Sequence, residues 1–376
     1  MDITPFSLDL LKLALIFLFT SAIGAFLWAP ILTKILYKYK LVRGAEYDFT
    51  LKSGERKQKI GTPIMGGLLV IITVTIITIL FNWQRKYTYV PIGVMGISAL
   101  LGAADDILNI YGQKRRNRDW QHTIILIKVH KNYLMRFWYL LTLPWTAFKR
   151  VVSVFGSHPG KGMQVHEKLI LQFIAGAITA WWIYFKLGPY WHSLRIPFDG
   201  QVFIGWWIIP IIIFFVMFTA NAVNIADGLD GLAGGSLIAT FLGLTIISWA
   251  EGRPAYTLLN ATVSGALLTY TYFNVKPARF QMGDVGSLGL GALFAINTIA
   301  INHTLLIPLF GFIFYLEIFS VILQVFSRRI FGRRLLKMAP LHHHFEFKGW
   351  NEEKIVIRFW LIHLFVVIVA IWMSLN

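Results

Sequence analysis

The sequence of 376 residues has no cysteine and few charged residues. Without cysteine there are no disulfides and no thiolate metal ligands, and the cellular compartment cannot be inferred from cysteine usage. Charged residues make up 14% of the chain, whereas about a quarter is usual for a soluble domain. Hydrophobic residues make up 56% and come in long runs rather than helical stripes, which predicts membrane-spanning helices.

The apolar runs predict an all-α integral membrane protein, with residues 1–376 forming a single polytopic domain. A very apolar soluble protein would not contain so many runs of this length. The first run is too long for a cleavable signal peptide and lacks a small-residue cleavage site. We place ten spans at roughly 8–33, 64–83, 89–110, 167–187, 203–223, 231–249, 255–274, 286–303, 304–326 and 355–375.

The formal net charge is +17, and its distribution predicts the orientation of the spans. A basic chain can bind nucleic acid, but here the basic residues lie between spans. If both termini are periplasmic, 29 of the 35 Lys and Arg residues fall in cytoplasmic loops. This is the asymmetry of the positive-inside rule, so we expect a lipid bilayer and no nucleic acid as the partner.

Five aspartates lie just beyond the ends of apolar runs, and this topology brings all of them to the cytoplasmic face: Asp105, Asp106, Asp227, Asp230 and Asp284. An ionisable group at a membrane boundary is costly and usually functional. Carboxylates that converge there are suited to a hard cation such as Mg²⁺, which often binds phosphates as well. The sequence therefore predicts a membrane enzyme that acts on a phosphorylated substrate.

Two of these acids lie in motifs rich in amides and glycines. Asn221, Asn224 and Asp227 are three residues apart and share one face if they are helical, although a helix cap followed by a turn also favours such residues. Asp284 is a good N-cap for the helix that follows it. The glycines around Asp284 would also expose backbone N–H groups, which bind phosphate at a helix start, and both roles can hold.

The remaining polar residues give weaker indications. The adjacent pair Asp105–Asp106 indicates either a bound cation or a solvated helix end. Lys59 places a cation in the first cytoplasmic loop. Glu317 is expected within the membrane, paired or protonated. Three consecutive histidines lack the i, i+4 spacing of a zinc site, so a phosphate or sugar contact from a loop is favoured for His342, His343 and His344.

The stretch 113–160 is basic and aromatic and does not fit the spans. Its apolar run, 133–148, is interrupted by Arg136 and Pro144 and is too short to cross a membrane. It indicates either an amphipathic segment lying on anionic lipid or a folded-back hairpin outside the membrane. The sequence leaves both open.

Stretches 221–234, 276–287 and 338–350, with Arg358 to Trp360, resemble the phospho-N-acetylmuramoyl-pentapeptide transferase family. The resemblance covers nearly the whole chain. Its aspartate motifs are shared with the wider polyprenyl-phosphate hexose-1-phosphate transferase superfamily, whereas the His-His-His-Phe-Glu-x-Lys-Gly-Trp stretch is more specific. It implies a ten-helix enzyme of the bacterial inner membrane, usually a homodimer. Such an enzyme uses Mg²⁺ to transfer phospho-MurNAc-pentapeptide from UDP-MurNAc-pentapeptide to undecaprenyl phosphate, giving lipid I and UMP.

The resemblance also implies roles for individual residues. Asp284 matches the Mg²⁺-binding aspartate and Asp227 an essential acid near the metal. Asp105 and Asp106 match a pair assigned to deprotonation of the lipid phosphate. The implied catalytic set is Asp105, Asp106, Asp227, Lys59, His343 and His344. The implied substrate-binding set is Asn221, Asn224, Asp230, Lys168, Asn274 and His342.

Three positions and the insert depart from the family pattern. Asn109 stands where the family has Lys, Ile64 where it has Thr, and Gln281 where an aromatic residue is common. The 113–160 segment is longer than the family's loop. Two alternatives remain, a sister polyprenyl-phosphate GlcNAc-1-phosphate transferase and a Mg²⁺- or proton-coupled transporter. The C-terminal motif argues against the first, and acids at span ends rather than mid-span argue against the second.

Overall fold

A computed structural model describes residues 5–43, 60–112, 120–153 and 162–376. Lys59 lies outside these ranges. The described residues are almost entirely helical, with one two-stranded antiparallel hairpin. The helices are α1 (Leu8–Lys38), α2 (Leu68–Phe81), α3 (Tyr89–Tyr111), α4 (Trp120–Val129), α5 (Tyr133–Ser153), α6 (Val165–Trp182), α7 (Ile208–Ala226), α8 (Leu232–Ala250), α9 (Pro254–Asn274), α10 (Gly283–Ala300), α11 (Ile307–Phe310), α12 (Phe312–Ile330), α13 (Leu341–Glu346) and α14 (Glu352–Leu375); the strands are β1 (Ser193–Ile196) and β2 (Gly200–Phe203).

Seven helices in the described part of the chain are long and apolar enough to cross a membrane. They are α1, α3, α6 with the π-helical turn that extends it, α7 with the 3₁₀ turn before it, α8, α10 and α14. The pair Thr304–Phe310 and Phe312–Ile330 forms an eighth candidate, bent by 85°. The chain is therefore a multi-pass membrane protein.

Nine of the ten predicted spans each fall on one helix and 304–326 covers the bent pair, but the count of ten stays a prediction. Helix α2 has only 14 residues. Helix α9 has 21 residues but is rich in Thr, Tyr and Asn, and most of its side chains are buried within the protein. A helix surrounded by other helices has little lipid contact and needs less apolar surface. Its Asn260, for example, accepts a 2.7 Å hydrogen bond from Asn297 of α10.

Helix α10 lies at the centre of the described fold. Every residue from Val285 to Ala300 is buried, and the helix packs mainly on α3 and α7. The contact with α3 requires glycine at position 102, because a Cβ there would lie 2.1 Å from the backbone oxygen of Asp284. This close approach places the start of α10 beside the aspartate pair on α3.

The described part of the 113–160 segment is a helical hairpin formed by α4 and α5. The rings of His130 and Tyr139 meet inside it, with centroids 5.8 Å apart. Helix α5 packs on α6, and the Trp145 ring lies edge-on to His166 at 5.3 Å. The hairpin therefore abuts the start of the next candidate span.

Candidate active site at the start of the central helix

Three charged side chains from three different helices meet at the start of α10. The Lys168 ammonium of α6 lies 2.7 Å from Asp105 Oδ2 and 3.0 Å from Asp284 Oδ2. The side chain of Asp105 is 2% exposed, whereas those of Lys168 and Asp284 are about a quarter exposed. The ammonium thus holds two carboxylates together where solvent or a substrate can reach it.

Asp106 has a different position from its neighbour. Its Oδ1 accepts a hydrogen bond from the Asp284 N–H (3.2 Å) and its Oδ2 one from the Val285 N–H (3.1 Å). It thereby caps α10 from another helix, and a carboxylate is stabilised there by the helix dipole. Two backbone donors expected to bind phosphate are occupied by this carboxylate. The expectation that Asp284 caps its own helix is wrong, because Met282 precedes the first residue of α10 and Asp284 is the second.

Helix α7 contributes its predicted polar face. Asn224 Nδ2 donates to Asp284 Oδ1 at 2.8 Å and to Ser287 Oγ at 2.9 Å. One turn earlier, Asn221 Nδ2 donates to Gln172 Oε1 on α6 at 2.7 Å. Asn224 therefore belongs to the charged cluster, whereas Asn221 fastens α7 to the helix that carries Lys168.

The other side of Asp105 is closed by the chain that follows the insert. The Met163 N–H donates to Asp105 Oδ1 at 2.6 Å. Asn109 Nδ2 donates to Asp105 Oδ2 at 2.9 Å. A Cβ at Gly162 would lie 2.2 Å from Asn109 Oδ1 and 2.8 Å from Asp105 Oδ1, so only glycine fits there without displacing a side chain.

Asp227 and Asp230 line a neighbouring polar pocket. Asp227 is the C-cap of α7, and the pocket's other lining residues are Arg43, Gly228, Leu229, Asn274 and Gln281. Arg43 donates to Gln281 Oε1 at 3.1 Å. Asn274 accepts from the Gly231 N–H at 2.9 Å and shapes the turn after Asp230. The pocket combines charged groups with amides, which suits a polar ligand.

The three histidines do not form one cluster of equivalent groups. They lie on the short helix α13 rather than in the expected loop. His342 is buried, its N–H donates to Glu317 Oε1 at 3.1 Å, and a Cβ at Gly228 would lie 2.3 Å from its Nε2. His343 Nδ1 pairs with Glu346 at 2.6 Å, and His344 Nδ1 accepts from the Lys337 N–H at 3.1 Å. His342 therefore packs beneath the Asp227 turn, and its neighbours are half-buried.

Comparison with known proteins gives a consistent result. Residues 158–302 match the glycosyl transferase family 4. The phospho-N-acetylmuramoyl-pentapeptide-transferase of Caldanaerobacter subterraneus subsp. tengcongensis is 32% identical over 317 residues, which is 84% of this chain and 85% of that protein. The protein of that name from Chloroflexus aurantiacus is 35% identical, over 84% of this chain and 78% of its own. That from Thermoanaerobacter pseudethanolicus is 31% identical over 92% of both chains.

The chain belongs to the phospho-N-acetylmuramoyl-pentapeptide transferase family. Membership of this family makes it a transferase. Two of its departures from the family pattern lie at the site. Asn109 binds Asp105 directly, and Gln281 pairs with Arg43 in the polar pocket.

Whether a metal fits this family member can be judged from its donor set. Asp105 and Asp284 offer carboxylate oxygens and share the Lys168 ammonium, whereas both oxygens of Asp106 accept backbone hydrogen bonds. Carboxylate oxygens suit Mg²⁺, and two acids that share one ammonium leave negative charge to be offset. Within the described ranges, no three His, Asp or Glu side chains are already grouped as a metal site. The chemistry of these donors fits a hard cation that would also bind the phosphates of a substrate.

Several residues of the site were not predicted from the sequence. Met163 acts through its backbone and Gly162 through the lack of a side chain, so neither residue type indicates a role. Arg43 follows an apolar run, as many basic residues of this chain do. Gln172 is a single polar residue within a predicted span, which is the one pattern that could have indicated a buried partner. Glu317, which was expected to be paired or protonated, lies 3.2 Å from His342 Nδ1.

Proposed function

We propose that this chain transfers phospho-MurNAc-pentapeptide from UDP-MurNAc-pentapeptide to undecaprenyl phosphate, giving lipid I and UMP in peptidoglycan synthesis. The main support is 31–35% identity, over 84–92% of this chain, to phospho-N-acetylmuramoyl-pentapeptide-transferases of other bacteria. The meeting of Asp105, Lys168 and Asp284 at the ends of three candidate spans agrees with it, because a lipid phosphate and a polar nucleotide can meet only at the membrane boundary.

The proposal includes an arrangement in the membrane. Ten spans would place both termini in the periplasm of the bacterial inner membrane and the site on the cytoplasmic face. It is supported by helices at the ten predicted positions and by the 29 of 35 basic residues that would then be cytoplasmic. A homodimer is part of the proposal through the resemblance alone.

We assign Mg²⁺ to Asp284 and Asp227. Asp284 carries the carboxylate that α3, α6 and α7 surround, and Asp227 lies one turn beyond its partner Asn224. When bound, the cation would neutralise charge that develops on the diphosphate. The two carboxylates that share the Lys168 ammonium support a cation at Asp284, and Asp227 is included through the family resemblance.

The side chains of the cluster then have separate roles. Lys168 can exchange one of its carboxylate partners for a phosphate oxygen, because it already bridges two acids within 3.0 Å. Asp105, relieved of that contact, can accept the last proton of the lipid phosphate. Asp106 keeps α10 in place through its two backbone hydrogen bonds.

The polar pocket, with an open volume of about 190 Å³, is assigned to one polar part of the nucleoside. Asp230 and Asn274 line it and would contact the nucleoside, while His343 and His344 on α13 would contact the substrate from one side. His342 would act indirectly by supporting the Asp227 turn from beneath. Lys59 keeps its predicted role as a cation for the substrate phosphates, outside the described residues.

The test is UMP release and lipid I formation by the purified protein in lipid nanodiscs, with and without Mg²⁺. The substrates are UDP-MurNAc-pentapeptide and undecaprenyl phosphate. Asp284→Asn should lower turnover by about 10²–10⁴-fold, because it removes one charge where charge develops in the reaction. Asp199→Asn is the matched control, since Asp199 is an exposed carboxylate in the β1–β2 turn.

Mg²⁺-dependent UMP release that survives Asp199→Asn and is lost in Asp284→Asn would support both the reaction and the metal. Turnover of UDP-GlcNAc in place of UDP-MurNAc-pentapeptide would contradict the proposal and favour the sister enzyme. Equal turnover by wild type and Asp284→Asn would remove Asp284 from the metal site.

A further inference from the structure

Helix α5 turns its polar side chains toward the protein and its apolar side chains away from it. The exposed apolar side chains on one side are Tyr133 (81%), Leu134 (78%), Phe137 (61%), Trp138 (60%), Leu140 (55%), Leu141 (57%), Trp145 (42%) and Phe148 (41%). At 3.6 residues per turn these positions cover an arc of about 160°, and Met135 (38%) is exposed outside it. Tyr139, Thr142 and Thr146 lie on the opposite side and are buried or half-buried.

A helix exposed to water would be expected to have the opposite orientation. A hairpin outside the membrane would bury the apolar arc against α4 or α6 and expose the threonines. Instead the inward side carries Tyr139, Thr142 and Thr146, and Arg136 binds the turn between α4 and α5. Arg136 Nε donates to the His130 oxygen at 2.5 Å, and Arg136 also donates to the Lys128 oxygen at 3.2 Å. A continuous apolar face of this size, left outward, implies an apolar surrounding.

Position and charge identify that surrounding as the surface of a lipid bilayer. The hairpin lies between two candidate spans, α3 and α6, and Trp145 contacts His166 where the second begins. Exposed Lys128 and Lys131 stand at the α4–α5 turn, and Lys149 lies over the Trp145 ring at 5.3 Å. Tyr, Trp and basic residues around an apolar face are typical of helices that lie among anionic headgroups.

We propose that α5 is a lipid-binding surface that lies in the headgroup layer of an anionic bilayer, with the Tyr133–Phe148 arc toward the acyl chains. Of the two interpretations that the sequence left open for this segment, the structure favours the interfacial one. The surface is a property of the insert and does not depend on the proposed reaction. It also holds one end of the chain that leads to Met163, whose N–H binds Asp105.

The absence of cysteine allows a direct test with single reporter positions. Leu141→Cys places a reporter in the middle of the arc, and His122→Cys places one on an exposed polar position of α4. Each full-length variant is labelled with an environment-sensitive fluorophore in nanodiscs containing phosphatidylglycerol. Quenching by lipids brominated in the acyl chain is then measured. In parallel, the unlabelled variants react with a water-soluble maleimide.

The label at position 141 should be quenched by the brominated lipids, and its thiol should react at least about tenfold more slowly than that at position 122, because interfacial helices bury their apolar face below the headgroups. Leu134→Cys repeats the measurement elsewhere in the arc if Leu141→Cys fails to fold. Fast reaction without quenching would overturn the proposal in favour of a water-exposed hairpin. Slow reaction without quenching would overturn it in favour of protein contact, including a second copy of this chain.

Discussion

The two ends of α10 carry partly buried ionic clusters of opposite balance. At its start, two aspartates share the Lys168 ammonium, and a third, Asp106, binds the backbone of α10. Beyond its end, the single carboxylate of Glu251 is met by Arg195 (2.6 Å), Arg253 (2.8 Å) and His303 (2.7 Å). The acids outnumber their cation in the first cluster, and the cations saturate the acid in the second.

The difference indicates which cluster can react. The Glu251 cluster joins separate elements: Arg195 extends from β1 and also donates to the Ser374 oxygen of α14, and Arg253 donates to the Ala300 oxygen of α10. Its charges are paired with one another, so the cluster holds these elements together. The cluster at the start of α10 keeps negative charge that a proton or a cation can offset, which is what phosphoryl transfer requires.

The largest effect is expected at Lys168, the cation that two carboxylates share, and it tests this contrast. Lys168→Met should lower turnover by about 10²–10³-fold and destabilise the fold by about 3 kcal/mol, because it removes the cation that two carboxylates share. UMP release and the thermal midpoint in detergent give both values. Lys186→Met is the matched control, because Lys186 is an exposed lysine in the π-helical turn at the other end of the same span. Normal turnover in Lys168→Met would place the substrate phosphates elsewhere.

Next in size is the effect at Asp106, which tests whether the site cluster also contains a purely structural acid. Asp106→Asn should destabilise the fold by about 1–2 kcal/mol, since an amide can accept from only one of the two N–H groups without presenting a donor to the other. Thermal unfolding measures this. Turnover should fall much less than in Lys168→Met; a loss as large would mean that Asp106 contacts the reacting groups.

The Glu251 cluster should respond to pH rather than to substrate. Burial alone raises the pKa of the Glu251 carboxyl, but the hydrogen bond from His303 and the charges of His303, Arg253 and Arg195 outweigh it, so the pKa lies below its ordinary value of 4.5. The carboxylate therefore stabilises the fold above about pH 4.5, and this contribution is lost as pH falls through the lowered pKa.

Glu251→Gln should accordingly lower the thermal midpoint near pH 7 by an amount equivalent to about 1–2 kcal/mol, and the difference from wild type should narrow toward pH 4. Thermal scans of both proteins across this range provide the measurement. Turnover at pH 7 should be unchanged. A constant difference at all pH values would contradict the assignment of the effect to the Glu251 charge.

The smallest expected effect concerns the junction between the insert and Asp105. Gly162→Ala should lower turnover by about tenfold, because the added Cβ would collide with the side chains of Asn109 and Asp105 and shift Asp105. Gly93→Ala on α3 is the matched control, since a Cβ there meets no atom within 4 Å. Kinetics of UMP release compare the two. Unchanged turnover in Gly162→Ala would mean that the junction does not position Asp105.

Much of the fold followed from the sequence, because hydrophobic runs and basic loops are local patterns. Helix α9 was predicted at 255–274 and is found at Pro254–Asn274, although its low hydropathy reflects burial among other helices. The prediction was wrong where packing between distant residues decides: the three histidines lie on a short helix rather than in a loop, and the position of His342 depends on Glu317, 25 residues earlier. The sequence also gave no reason to separate Asp105 from Asp106, since their different partners lie on segments that begin 58 and 178 residues away.

Turnover of Asp105→Asn beside Glu251→Gln, in the same nanodiscs with Mg²⁺, tests the central contrast most directly. We expect Asp105→Asn to lose about 10³-fold or more in UMP release while its thermal midpoint stays near wild type, because one of three crowded negative charges is removed. Glu251→Gln should show the reverse. Normal turnover in Asp105→Asn, or an equal loss in both variants, would contradict the division into a reactive cluster and a structural one.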